Sequence, residues 1–262
     1  MKLFEIKTAN ASIFKILIEA MKEILTETIF RIDKDGILVT DIDNTQSVLL
    51  KMHLAKGKFE EFTVNKPIEI GVEMITLYKL LKSTGNNDSL TLSMDDSNRS
   101  QLNIRIDNGK KGSKSISQMK LSDLDATLYD IDKVQFDTVI TLPSQDFQQI
   151  CRDMGNYSDK MIITKVENEL QFSCSSDTIN KQITYMIGTS EDGLSYLKND
   201  DPEEIIRGVF LLDHLMSFTK CTNLCNYVEL NLRNDYPLII KYSVGDLGTI
   251  RLCLAQNNVE MK

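Results

Sequence analysis

"KLSDLDATLYDIDKVQF", residues 120–136, lies near the middle of a 262-residue chain and contains four aspartates, two lysines and neither glycine nor proline. Leu121, Leu124, Leu128, Tyr129, Ile131, Val134 and Phe136 interrupt the charge throughout. It reads as a strand, as an acidic metal site or as a strap joining two bodies. Gly/Ser-rich linkers are flexible coils, and this segment, with so many apolar side chains, instead needs a surface to lie on. At roughly 3.3 Å per extended residue it reaches about 56 Å, enough to cross one face of a domain. Which reading holds depends on the sequence to either side.

The two flanks repeat one another. "IGVEMITLYKLLK" (70–82) followed by "LTLSMDDSNRSQLNIRI" (90–106) parallels "RGVFLLDHLMSFTK" (207–220) followed by "VELNLRNDYPLIIKY" (228–242). "SIFKILIEAMKEI" (12–24) occupies the place that "SQDFQQICRDMGN" (144–156) takes in the second half. A period of about 130–140 residues is too long for a solenoid unit and fits a duplicated domain. The segment 120–136 falls where the first copy ends, so it reads as an interdomain strap.

Within each copy, strand-like alternation is broken by short helical stretches. Alternating or β-branched runs cover 37–42, 48–54, 90–94, 102–106, 161–166, 227–232 and 238–244. Four segments have a period near 3.6 instead. The expected inward faces are Ile13, Leu17, Met21 and Ile24 in 12–25; Met74, Leu77, Tyr78 and Leu81 in 73–83; Phe147, Ile150, Cys151 and Met154 in 144–155; and Leu211, Leu212, Leu215 and Phe218 in 211–220. The expected class is α+β.

Composition narrows the function. Hydrophobic residues make up 42% and charged residues 26%, as in soluble globular proteins, and the apolar runs fall far short of a membrane span. The acidic and polar start MKLFEIKTAN does not read as a signal peptide, which points to an unprocessed intracellular protein. Five cysteines (Cys151, Cys174, Cys221, Cys225, Cys253) make no CxxC pair and read as reduced core thiols. Cys221 and Cys225 share a helical spacing, but only His53 and His214 exist to complete a zinc site. The carboxylate pairs Asp41/Asp43, Asp95/Asp96, Asp123/Asp125 and Asp130/Asp132 lack a suitable His or Lys at motif spacing and read as turns or solvated strand faces. There is no Walker loop, G-x-G-x-x-G, G-x-S-x-G or H-E-x-x-H. No catalytic residue, metal ligand or cofactor is expected.

A net charge of −8 repels nucleic acid on average. The distribution is more informative. The four helical segments (9–25, 73–84, 144–155, 211–222) hold six Lys/Arg against six Asp/Glu, so the rest of the chain carries the whole negative charge. Every helix places at least one cation off its apolar face, although ordinary solvated helix faces are charged too.

"ILIEAMKEI" (16–24), "GVEMITLYKLLKSTGNND" (71–88), "MKLSDLD" (119–125), "FQQICRDM" (147–154), "SFTK" (217–220) and "YPLIIKYSVGDLGTIRLCLA" (236–255) resemble the proliferating cell nuclear antigen family of DNA sliding clamps, in order and over nearly the whole chain. The resemblance implies two clamp domains, 1–119 and 137–262, joined by an interdomain connecting loop, 120–136. It implies a ring of three subunits, with helices lining a central hole and sheets outside. The ring encircles double-stranded DNA without sequence preference and tethers a DNA polymerase and other replication and repair proteins, with no enzymatic activity of its own. A clamp loader and a nuclear location, or a viral replication site, belong to the same expectation. Positions matching the family's DNA-facing cations are Lys15, Lys22, Lys79, Lys82, Arg152 and Lys220. Ile16, Gln149 and Asp213 fill other such positions, which makes the inner face less basic than usual.

Relatives bind partner peptides beneath the connecting loop. The matching residues are Ile42, Gln46, Ser47, Leu49, Tyr129, Ile131, Phe136, Pro237, Cys253, Leu254 and Ala255. By family position the subunit seam joins Lys114–Met119 to the neighbour's Asp177–Tyr185. The chain departs from the pattern at several places: Asp132 and Gln256 stand where relatives usually have proline, Cys253 replaces an aromatic, an aromatic near Ser117 is missing, the acidic tail is absent, and the commonly modified lysine aligns with Glu167. These are departures of a divergent member, for which a large DNA virus is one source. A checkpoint hetero-ring subunit or open-form processivity factor remains an alternative, as does, from another class, a metal-dependent nuclease built on the aspartate pairs.

Overall fold

The computed structural model describes residues 1–125, 129, 135–188 and 193–257. The expectations for Leu128, Asp130, Ile131, Asp132 and Val134 lie outside them. The first half runs β1 (Lys2–Thr8), α1 (Ala11–Met21), β2 (Glu27–Ile32), β3 (Gly36–Ile42), β4 (Val48–Ala55), β5 (Glu61–Val64), β6 (Ile68–Glu73), α2 (Met74–Leu81), β7 (Asp88–Asp95), β8 (Asn98–Asn108) and β9 (Ser113–Lys120). The second repeats the order with β10 (Thr138–Pro143), α3 (Ser144–Met154), β11 (Lys160–Val166), β12 (Glu169–Ser175), β13 (Asn180–Met186), β14 (Ser195–Asn199), β15 (Ile206–Leu211), α4 (Leu212–Phe218), β16 (Tyr227–Leu232), β17 (Leu238–Val244) and β18 (Gly248–Leu254). The strand order β5-β1-β7-β8-β9 recurs as β14-β10-β16-β17-β18, and β6-β2-β3-β4 recurs as β15-β11-β12-β13. The duplication read in the sequence is therefore a duplication of topology.

Two compact units result. The first contains Met1–Asn44, Leu50–Tyr129 and Ser243–Ile250; the second contains Thr45–Leu49, the chain from beyond Tyr129 to Tyr242, and the chain from Arg251 onward. In the first, α1 packs on α2; in the second, α3 packs on α4. All seven alternating runs are strands, because period-two apolar residues put one face of each strand in a core.

The helices are shorter than their periodic segments. The chain leaves α1 through a tighter turn, with the Glu23 N–H bonded to the Ala20 carbonyl three residues back. Its buried stripe is also shifted. Phe14, Leu17, Ile18 and Met21 are buried, while Ile13 and Ile24 are only half-buried. Two apolar stripes compete on this helix, and the one carrying the larger Phe14 faces inward. In α3 the expected Phe147, Ile150, Cys151 and Met154 are all buried. In the other pair, Tyr78 stays half-buried and Leu211 belongs to β15 rather than α4.

The first residues of the strap are anchored in the first unit. Leu121 N–H donates to the Ser100 carbonyl and Ser122 N–H to the Gly71 carbonyl, both at 2.9 Å. A Cβ on Gly71 would lie 2.2 Å from the Ser122 carbonyl oxygen, so only glycine lets the strap approach β6 this closely. At the other end, Phe136 is buried in the second unit. Its ring meets Tyr236 edge-on at 5.6 Å, and its carbonyl accepts from Lys198 Nζ at 2.9 Å.

Candidate nucleic-acid and peptide interfaces

The six expected DNA-facing cations fall into two groups. Lys79, Lys82, Arg152 and Lys220 are exposed and take part in no ion pair among the described residues. Lys15 and Lys22 are engaged. Lys15 Nζ donates to the Thr84 carbonyl at 2.8 Å, tying α1 to the end of α2. Lys22 pairs with Glu23 and lies 4.8 Å from the centre of the Tyr78 ring. Burial and the neighbouring Glu19 push the Tyr78 phenol above its ordinary pKa. Of the other positions, Ile16 is half-buried, and Gln149 and Asp213 are exposed. The freely offered charge thus comes from α2, α3 and the turn of 3-10 helix after α4, while α1 spends its lysines on packing.

The expected peptide-binding residues divide in a similar way. Within the second unit, Ala255 N–H donates to the Ser47 carbonyl at 3.0 Å, a ladder bond between chain ends that run antiparallel. The next hydrogen-bonded pair along such a ladder brings Leu49 opposite Cys253. Both are half-buried, as is Pro237, and Ala255 and Gln46 are exposed. Gln46 adopts φ 57° in the turn before β4. Leu254 is 1% exposed, so its side chain is core and it presents only backbone to a surface. Phe136 is also largely withdrawn, at 8%. Ile42 and Tyr129 are half-buried members of the first unit.

The thiols follow the same division. Cys151, Cys174 and Cys221 are buried, and burial holds all three above the ordinary thiol pKa. Cys225 and Cys253 are half-buried and so depart from the expected core position. Asp43 lies in the connection after β3, as a turn residue would, but is buried rather than solvated. No group of three or more His, Cys, Asp or Glu is gathered as metal ligands among the described residues.

Lys165 is a residue that the functional reading overlooked. It is fully buried, and its Nζ donates to the carbonyls of Asp201, Pro202 and Glu204 at 3.0, 2.8 and 2.9 Å. Burial lowers its pKa from the ordinary lysine value, while Asp201 and Glu204 pull the other way. The signal was available: alternation in 161–166 puts Lys165 on the inward face with Met161 and Ile163.

The duplicated topology describes a two-domain clamp subunit, and the comparisons agree. Residues 3–129 match the family model "Proliferating cell nuclear antigen, N-terminal domain", and residues 130–257 match "Proliferating cell nuclear antigen, C-terminal domain". The chain therefore belongs to the proliferating cell nuclear antigen family. It is 32% identical, over 97% of its length and 96% of the relative's, to a protein of Paramecium bursaria Chlorella virus 1 named "Probable DNA polymerase sliding clamp 1". Among solved structures it is similar to the proliferating cellular nuclear antigen of Entamoeba histolytica, with a TM-score of 0.88 and 25% identity over 98% of this chain and 100% of that one.

Proposed function

We propose that this chain is a DNA polymerase processivity factor, a sliding clamp that closes around duplex DNA and tethers replication and repair proteins to it. The observation that carries this reading is the duplicated topology, matched in both halves by the clamp family. The proposed divisions are a clamp domain at 1–119, a connecting loop at 120–136 and a second clamp domain at 137–262. Lys79, Lys82, Arg152 and Lys220 meet phosphates directly, Lys22 does so on leaving its pair with Glu23, and Lys15 acts mainly through the Thr84 carbonyl it holds. Phosphate contact of this kind is sequence-blind and weakens with salt.

Self-assembly follows from the sheet edges. β9 and β13 each end a strand order, and an edge strand with unpaired N–H and C=O groups is a template for another chain. Joining β9 of one copy to β13 of the next is a heterologous contact that closes into a ring, here a homotrimer. The groove around Leu49, Pro237, Cys253 and Ala255 takes the apolar anchors of a partner's short peptide, a polymerase tail among them. With cysteine in place of a ring at 253, the groove is roomier than in relatives. The protein has no catalytic step of its own, depends on a clamp loader and works at the site of DNA replication, in the nucleus or a viral replication site.

Extension of a primer on a circular template, with a polymerase and a loader, tests this. The protein should lengthen the products, and removing the charges of Lys22, Lys79, Lys82, Arg152 and Lys220 together should abolish most of that gain while leaving the assembled mass unchanged. Product lengths indifferent to the protein would sink the reading.

A further inference from the structure

Positive charge is also concentrated away from the helices. From Asn108 to Lys114 the chain reads NGKKGSK, with three lysines, two glycines, no carboxylate and no apolar side chain. This is the turn joining β8 to β9, and its shape is set locally. Asn108 Oδ1 accepts the Lys111 N–H at 2.8 Å, and Gly112 adopts φ +60°, which side-chain-bearing residues rarely take. Lys110 and Lys111 at its tip are exposed and without an ion pair among the described residues.

Neighbouring carboxylates do not neutralise them. Asp107 is held by Arg105 at 2.7 Å, and Lys114 lies opposite it in the ladder. Asp88, opposite Asn108, accepts the Gly85 N–H at 2.8 Å. The duplication provides an internal control. The corresponding turn between β17 and β18 contains Gly245, Asp246 and Leu247, with a carboxylate and no cation. The fold therefore does not require lysine at this turn.

Topology puts the tip at the end of the first unit toward which the chain leaves α2. The chain leaves α2 through Lys82 and enters β7 at Asp88, the residue paired with Asn108. Lys82 and the tip of the turn thus share one end of the first unit, and the Lys15 ammonium is drawn to that end by Thr84.

We propose that the turn between β8 and β9 is an additional contact for double-stranded DNA, in which Lys110 and Lys111 carry the positive stripe of Lys79 and Lys82 outward onto the phosphate backbone. The inference rests on the reading of the chain as a clamp on DNA. Lysines without an aromatic or aliphatic anchor among them fit phosphates as point charges and lack the buried hot spot of a protein-docking site. The contact is blind to base sequence.

The test uses the full chain. K110Q/K111Q is titrated against a short fluorescent duplex over a range of salt, beside K79Q/K82Q and the unaltered protein. Each phosphate contact contributes about 0.9 to the slope of log affinity against log salt, so K110Q/K111Q should flatten that slope by about 2 with its assembled mass unchanged. A flatter slope for K79Q/K82Q alone overturns the proposal and leaves the clamp reading standing. Unchanged slopes for both variants overturn the proposal together with the cation assignment on which it rests. A polyglutamate peptide is titrated in parallel. If K110Q/K111Q loses affinity for that peptide and keeps its slope on DNA, the turn receives an acidic protein segment and the proposal is again overturned.

Discussion

Lys165 shows how far a single side chain reaches. A lysine ammonium has three N–H donors and no acceptor, and three carbonyls from Asp201, Pro202 and Glu204 surround it. The loop before β15 has no comparable anchor in its own sequence, where Asp201 Oδ1 does no more than accept the N–H groups of Glu203 and Glu204. Replacing Lys165 with Met keeps the length and removes all three donors. The expected cost is about 1–3 kcal/mol of folding stability for the carbonyls left without partners. Denaturant titration reads it directly, and a midpoint equal to that of the unaltered protein would show that the loop is held by other means.

At the scale of elements, the proposed peptide-binding surface beside β4 yields the clearest expectation. Leu49 and Cys253 are half-buried where neighbouring inward residues such as Val48, Leu50 and Leu252 are fully buried. Leu49→Ala should weaken binding of a polymerase-tail peptide by about 1–2 kcal/mol if Leu49 is a central contact, while assembly is unaffected. Calorimetry with undiminished binding would move the docking site elsewhere. The same alternation explains what the sequence disclosed. Strands such as β4 and β17 announce themselves because every second residue is apolar. Edge strands do not: β9, SKSISQMK, has only Met119 buried, so no core-facing pattern marks it, and its place was legible only through family resemblance. In α1 the period was clear but the phase was not, because Ile13 and Phe14 begin two equally apolar stripes and only packing chooses between them. Two of the six expected cations, Lys15 and Lys22, are engaged within the protein. Nothing local in the sequence tells that Lys15 turns back to Thr84, sixty-nine residues away.

For the whole molecule, the exposed edge is the feature that supports the proposed assembly. Ile116 on β9 is 64% exposed, unusual for an isoleucine in the middle of a strand. Ile179 and Met186, at either end of β13, are 39% and 50% exposed. Ile116→Lys introduces a charge into the proposed seam and should turn the proposed trimer into monomers at micromolar protein. Light scattering provides the mass, and an undiminished trimer would exclude β9 as the joining edge. Loss of the ring should also remove the gain in product length, because a monomer has nothing with which to encircle DNA.

The wrapping of Lys165 has a chemical consequence too. Two residues further on, Glu167 stands exposed in a left-handed turn at φ 48°, at the position where the family resemblance implies a modified lysine. An enzyme seeking an amine at this turn meets a carboxylate. The lysine next to hand in sequence has its nitrogen sealed in the interior and all its hydrogens committed to carbonyls, so it offers no lone pair to an acyl donor. Neither residue offers an acyl donor a free amine at this turn.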